Sequence, residues 1–211
     1  MQANSRQMKK TIILIGLLAF VLGIGIAQYY LPQSSPASVV EVGGYTNVKV
    51  TEGKFGGEFT LFQGDKPVSP SDFHGKLVVI YFGFASCPDV CPTTLAIIAS
   101  ALRQLTPEEL EMVQPIFISI DPERDRGEKL DAYATYFHPS FIGITGMPDE
   151  VQKVANQYGG FFIKVESDSA IGYTVEHTSK TYIISKDGQY VSILPHDMTS
   201  DVLLKALRSG L

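Results

Sequence analysis

An α/β layer fold built on a mixed central sheet is the class this sequence predicts, and three observations predict it. Leu77 to Phe84 (LVVIYFGF) and Pro115 to Ile120 are short, nearly continuous apolar runs, the pattern of strands covered on both faces. Helix-spaced apolar segments follow them, Thr93 to Leu105 after the first and Glu128 to Phe137 after the second. The C-terminal part then reads as two consecutive strands, Thr181 to Ser185 and Gln189 to Leu194, joined by Lys186-Asp187-Gly188. An Asp-Gly step suits the tight turn of a hairpin.

Taken in order, residues 1–10 carry Arg6, Lys9 and Lys10, the only charged side chains before residue 41. Thr11 to Ala27 is apolar after Thr11 and is followed by Gln28-Tyr29-Tyr30-Leu31. Residues 11–30 are therefore expected to form a transmembrane anchor, about 20 residues being what a helix needs to cross the hydrocarbon core. The bases lie on one side and the tyrosines at the far interface, so residues 1–10 are expected in the cytoplasm. Gly25-Ile26-Ala27 offers the small residues of a signal-peptide cleavage site, so removal of the segment is the alternative. Either way the folded part is exported. With no extended Arg- and Ser-rich leader, the expected location is the bacterial inner (cytoplasmic) membrane, single-pass, with the C-terminal domain in the periplasm.

Residues 31–45 read as a linker, opened by Pro32-Gln33-Ser34-Ser35-Pro36-Ala37-Ser38, and residues 46–211 as one folded domain. Within it Phe59 to Phe62 and Phe161 to Val165 are further strands. Asp149 to Tyr158 is a helix stopped by Gly159-Gly160, and Ser200 to Leu207 is a closing helix. A βαβ portion followed by a ββ ending suggests a thioredoxin-like topology. The composition is that of an ordinary globular chain, 45% apolar and 18% charged. Beyond the three N-terminal bases the chain carries a formal −8 out of an overall −5. A domain that acidic is not built to neutralise phosphates, which excludes nucleic acid as a partner.

The only two cysteines, Cys87 and Cys91, lie in Ser86-Cys87-Pro88-Asp89-Val90-Cys91-Pro92, at the junction of the first apolar strand and the helix that follows it. Ligand sites of α/β sheets sit at such strand ends. Pro92 suits a first helical turn, which places Cys91 at the helix start and Cys87 in the preceding loop. Helix N–H groups and the positive end of the dipole are expected to favour thiolate at both. A structural disulfide across three residues would close too short a loop to stabilise much. Redox exchange and metal binding remain. Zinc would require four ligands, and no second cysteine pair completes them. Two thiolates with one imidazole suit copper, with Cu(I) favoured by the soft sulfurs.

Of the four histidines, His74, His138 and His196 sit at apparent turns or element ends and read as surface or capping residues. His177 lies in Thr174-Val175-Glu176-His177-Thr178-Ser179, read as a loop just before the first strand of the C-terminal hairpin. In a thioredoxin-like layout that loop faces the cysteines. Thioredoxins usually carry a cis-proline immediately before this strand, but Ser179-Lys180-Thr181 has no proline. A histidine at this corner shifts the reading from disulfide exchange towards metal.

Tyr81-Phe82-Gly83-Phe84-Ala85-Ser86-Cys87-Pro88-Asp89-Val90-Cys91-Pro92-Thr93-Thr94-Leu95 resembles the signature of the Sco/SenC copper proteins, membrane-anchored factors for cytochrome c oxidase assembly. The likeness continues through Ser119-Ile120-Asp121-Pro122-Glu123-Arg124-Asp125, Phe141 to Gly146, Val175 to Ser179 and Asp187-Gly188, and covers roughly residues 55 to 205. The resemblance implies a thioredoxin-like domain binding one copper, Cu(I) or Cu(II), through Cys87, Cys91 and His177. It implies delivery of that copper to the CuA site of cytochrome c oxidase subunit II, with other periplasmic copper carriers as further partners. Some members are thought to reduce the cysteines of that site, so a thiol-disulfide oxidoreductase using Cys87 and Cys91 is the alternative. No other residue is assigned a catalytic role.

Two departures from the family pattern stand out. Glu176 replaces the common aspartate before the histidine and is expected to orient the imidazole. Ala85-Ser86 replaces Thr-His before the first cysteine. Asp121 and Asp125 are read as caps of the helix that follows, with Arg124 as a solvated partner. Met147 and Met198 are read as packing residues rather than extra ligands. A peroxiredoxin-type peroxidase is excluded, because the threonine it needs three residues before its cysteine is Phe84 or Pro88 here.

Overall fold

The structure, a computed structural model, describes residues 41–42, 45–46, 56–168 and 172–211. The expected N-terminal segment 1–10, the anchor 11–30 and most of the linker lie outside the described residues. Among those described, no helix is long and apolar enough to cross a membrane. At the end of the expected linker, β1 (Glu41–Val42) pairs antiparallel with β2 (Tyr45–Thr46).

Two short strands, β3 (Leu61–Gln63) and β4 (Lys66–Val68), form a hairpin, and β5 (Leu77–Gly83) is the central strand. All seven residues of β5 are buried, so none of its backbone groups is left to water and each must find a partner strand. Helix α1 (Val90–Leu102) follows, then a single-turn helix α2 (Pro107–Glu111) and β6 (Val113–Ser119), parallel to β5 from Leu77↔Val113 to Gly83↔Ser119. Helix α3 (Gly127–Phe137), strand β7 (Ile142–Ile144) and helix α4 (Pro148–Gln157) come next. Strands β8 (Phe162–Glu166) and β9 (Tyr173–His177) make a separate two-stranded ladder. Strands β10 (Lys180–Ile184) and β11 (Tyr190–Pro195) and helix α5 (Ser200–Gly210) finish the chain.

Among the described residues the main sheet has five strands in the order β11-β10-β5-β6-β7. Strands β5, β6 and β7 are parallel, β10 runs against them, and β11, antiparallel to β10, runs in the same direction as β5. This is the mixed sheet of a thioredoxin-like domain, as the apolar runs and the Asp-Gly turn predict. Gly188 takes φ +79° in that turn, a conformation glycine adopts without penalty. Leu95, Ile98 and Leu102 of α1 and Leu203 and Leu207 of α5 are fully buried, and the two helices pack against each other.

The observed elements extend the sequence reading in four places. Strand β4 pairs in spite of Pro67, which a two-stranded edge ladder tolerates. Helix α2 carries a full capping box, Thr106 with Glu109, and Pro107 in its first turn. Strand β7 is only three residues long. The segment read as a loop before the hairpin is strand β9, so His177 sits at a strand end.

Gly83, the last residue of β5, has no room for a side chain. A Cβ there would stand 2.9 Å from Cys91 Sγ, 3.0 Å from Phe117 Cε2 and 3.1 Å from Tyr81 Cε1. Gly83→Ala is expected to cost about 1–3 kcal/mol through overpacking. Urea unfolding of the reduced protein checks this, and an unchanged midpoint would show that the cysteine helix moves away freely.

Candidate metal centre

The chain leaves β5 at Gly83, and a turn closed by the Cys87 N–H on the Phe84 carbonyl (3.2 Å) carries it to α1. Asp89 stands at the N-cap, yet its side chain accepts no capping hydrogen bond. Cys87 Sγ takes that place, accepting the Cys91 N–H at 3.5 Å. The sulfur therefore occupies the position of an N-cap oxygen, against the positive end of the helix.

The two thiols are unequal. Cys87 is half-buried, and Cys91 is fully buried. The Cys87 pKa is drawn down to about 4, first by the hydrogen bond from the Cys91 thiol and then by His177 and the N–H groups of Asp89 and Cys91, against the cost of burial. Cys91 is pushed the other way, first because its thiol is the donor to Cys87 and then by burial. The expectation of thiolate at both positions is thus corrected: the helix terminus serves Cys87, and burial keeps Cys91 protonated.

His177 ends β9 and brings Nε2 to 3.6 Å from Cys91 Sγ. Its Nδ1 lies 3.2 Å from the Thr178 carbonyl, which can only accept, so Nδ1 carries the proton and Nε2 presents its lone pair to the sulfur. The ring packs edge-on against buried Phe84, with centroids 5.9 Å apart. Glu176 does not orient the imidazole as expected. Side chains alternate along a strand, so Glu176 is exposed on the other face of β9, and the Thr178 carbonyl does the orienting. A cleft of about 350 Å³ runs between the cysteine loop and β9, with Cys87 and His177 in its walls.

Cys87, Cys91 and His177 are thus gathered at one sheet edge. Among the described residues no three ligating side chains already close around a common point. The single hydrogen of the Cys91 thiol faces both Cys87 and His177 Nε2, and a metal ion would replace it. Two sulfurs and one neutral imidazole form a soft donor set suited to Cu(I).

Asp121 and Asp125 are not helix caps. The N-cap of α3 is Arg126, without a side-chain cap, and both aspartates are fully buried. Asp125 Oδ2 accepts the Ala85 N–H at 2.7 Å and the Ser119 hydroxyl at 2.8 Å, and so holds the cysteine loop to the end of β6. Asp121 pairs with Arg124 and accepts the Tyr173 hydroxyl at 2.7 Å. Arg124 is not solvated. Its guanidinium lies 3.8 Å over the Tyr173 ring and donates to the Tyr173 carbonyl at 3.0 Å. The Asp121–Arg124 pair thereby ties down the strand that ends in His177. Sequence reading missed these roles because Asp-Pro-Glu-Arg-Asp before a helix looks like capping, and burial is not visible in it.

The remaining candidates lie elsewhere. His138 Nδ1 meets the Ser140 hydroxyl at 2.8 Å, His74 lies beside the Gly188 turn, and His196 is exposed. Met198 is buried in the core. Met147 lines a second hollow of about 410 Å³, whose walls contain no thiol or imidazole.

A thioredoxin-like domain that presents two thiols and an imidazole at one sheet edge is the class this fold and site define. The SCO1/SenC family profile matches residues 48–211. An SCO2-like protein of Rickettsia prowazekii is 34% identical over 211 residues, covering 99% of this chain and 98% of its own. The solution structure of apo Sco1 from Thermus thermophilus superposes with a TM-score of 0.70 at 38% identity, covering 78% of this chain and 96% of that one. The crystal structure of Arabidopsis thaliana ScoI, solved with copper bound, gives 0.66 at 34% identity, covering 74% and 99%. The chain belongs to the SCO1/SenC family.

Two outcomes follow from the geometry. Asp125→Ala strands the Ala85 and Ser119 donors and should cost about 2–4 kcal/mol in urea unfolding. Alkylation of reduced Cys87 by iodoacetamide should stay fast through the neutral range and slow only as pH falls towards about 4. A rate that already falls below the ordinary thiol range near pH ~8.5 would contradict the thiolate assignment.

Proposed function

We propose that this chain is a membrane-anchored copper carrier, which holds one copper ion through Cys87, Cys91 and His177 and delivers it to the CuA site of cytochrome c oxidase subunit II. The observation that carries the reading is the approach of His177 Nε2 to Cys91 Sγ across 86 residues of sequence. Family membership supports it, as does copper in the Arabidopsis relative. Residues 11–30 anchor the domain in the bacterial inner membrane, with the site in the periplasm, where other periplasmic copper carriers supply the metal.

The inequality of the thiols sets the order of exchange. Cys87 is half-buried beside the cleft and already favours thiolate, so it meets an incoming ion first and yields first to a partner's thiolate. Cys91 gives up its proton only when a metal takes its place, and its burial makes it the last ligand to leave. His177 carries its proton on Nδ1, so Nε2 can bind and release without a proton transfer. Both thiols must be reduced, since a disulfide offers no thiolate.

The same inequality favours a second reading, a thiol-disulfide oxidoreductase that keeps target cysteines reduced. A low-pKa, half-buried thiol followed by a fully buried one is the arrangement of an attacking and a resolving cysteine. Copper stoichiometry after competition with a Cu(I) chelator separates the two. The carrier reading expects one tightly held copper, lost in His177→Ala and in the Cys87→Ser/Cys91→Ser pair. Retention in His177→Ala with loss of thiol chemistry in either cysteine variant would favour the reductase. A protein lacking residues 1–30 is expected to bind copper normally yet support oxidase poorly in cells at limiting copper. Full complementation by that soluble form would remove the tether from the mechanism.

A further inference from the structure

Tyr81 lies on the central strand directly behind the cysteine helix and is fully buried. Its ring stacks on Phe117, with centroids 6.4 Å apart. Its hydroxyl makes no well-aligned hydrogen bond among the described residues, although the Thr94 hydroxyl and the Cys91 thiol both lie close enough to interact with it. Most buried polar groups are fully paired, so a phenol this loosely held calls for a reason. The same point above Gly83 lies 2.9 Å from Cys91 Sγ and 3.1 Å from Tyr81 Cε1, the ring carbon beside the one that bears the hydroxyl. The thiol and the hydroxyl-bearing edge of the ring therefore flank one glycine.

The neighbouring groups narrow the choice of acceptor. The Thr94 hydroxyl spends its own hydrogen on the Val90 carbonyl at 2.8 Å, which leaves its oxygen as a neutral acceptor for the phenol. Cys91 is a neutral thiol engaged with His177 at 3.6 Å, and neutral thiol sulfur is a weak acceptor. A metal-bound thiolate is charged and a much stronger one. Cys91 is buried, so bulk water does not solvate that charge, whereas half-buried Cys87 has water as well as the Cys91 N–H. A phenol is protonated through the neutral range, and so a donor.

We propose that the Tyr81 hydroxyl is the internal hydrogen-bond donor to the Cys91 sulfur when that sulfur is a copper-bound thiolate. Tyr81 is then a positioning residue built for the loaded state. It has only weak neutral acceptors in the metal-free protein and a charged one on loading, and it makes Cys91 the ligand retained longest. The proposal rests on the copper reading above.

The test is Tyr81→Phe, which removes one oxygen and keeps the ring, in the full chain in detergent with both thiols reduced. Thermal unfolding with and without Cu(I), competition with a Cu(I) chelator, and the sulfur-to-Cu(II) charge-transfer band are compared with wild type. In the metal-free protein the variant should be about as stable as wild type, because the deleted hydroxyl made no well-aligned hydrogen bond. With copper it should gain less thermal stability, surrender the metal about tenfold more readily, and absorb at lower energy, since the sulfur has lost a donor. Equal copper retention with an unshifted band would overturn the proposal while leaving the carrier reading intact. An equal loss of stability with and without copper would also overturn it, by showing that the hydroxyl already has a structural partner such as Thr94. A wild type that holds no copper would remove the carrier reading and the proposal together, and would be seen before any variant is compared.

Discussion

The antiparallel pairing of β10 with β5, with Thr181 opposite Tyr81, is the constraint on which the site depends. Strand β5 runs towards the cysteine loop and β10 runs away from it. The exit of one strand therefore lies beside the entrance of the other. Two residues past Gly83 the chain reaches Ala85 and the cysteine turn, and His177 stands three residues before Lys180 opens β10. Burial of β5 on both faces makes the pairing obligatory, because an unpaired backbone group there would have no water to turn to. Closing so long a loop costs entropy that grows only slowly with length, and the buried apolar ladder offsets it.

What the sheet brings together, buried charge then holds in register. Asp125 fastens the loop before Cys87 to the end of β6, and Asp121 with Arg124 fastens the start of β9. Neither aspartate touches a cysteine or His177 through any hydrogen bond described above. Their contribution is to fix the two segments that supply those residues, which matters because, among the described residues, β8 and β9 form no ladder with the main sheet. The helix terminus adds a distinction between the thiols. One sulfur caps α1 and is drawn towards thiolate, while the other is driven into the core. A carrier benefits from that difference, since it separates a ligand that opens the exchange from one that completes it.

The central strands and hairpin were legible in the sequence because burial on both faces writes itself as Leu77 to Phe84 and Pro115 to Ile120, and because Asp187-Gly188 has few other uses. Cys87, Cys91 and His177 were legible as chemistry, and the thioredoxin-like order supplied their meeting. Strand β9 was not legible, since Thr174 and Glu176 are polar and only Val175 among its five residues is buried. Recognising it as a strand would have placed Glu176 on the face away from His177. The thiol inequality depends on how deeply α1 is packed, which its modestly amphipathic sequence does not declare. Tyr81 is hidden for a related reason: inside an apolar run a tyrosine reads as bulk, and the nearness of its hydroxyl to Cys91 is visible only in three dimensions.

X-ray absorption at the copper K-edge, on the reduced chain loaded with one equivalent of Cu(I), tests the central claim most directly. The account requires a first shell of two sulfurs and one imidazole nitrogen, with the nitrogen contribution absent in His177→Ala. A shell of oxygen and nitrogen alone, or one of sulfurs unchanged by loss of His177, would show that these three residues do not act together as the ligand set.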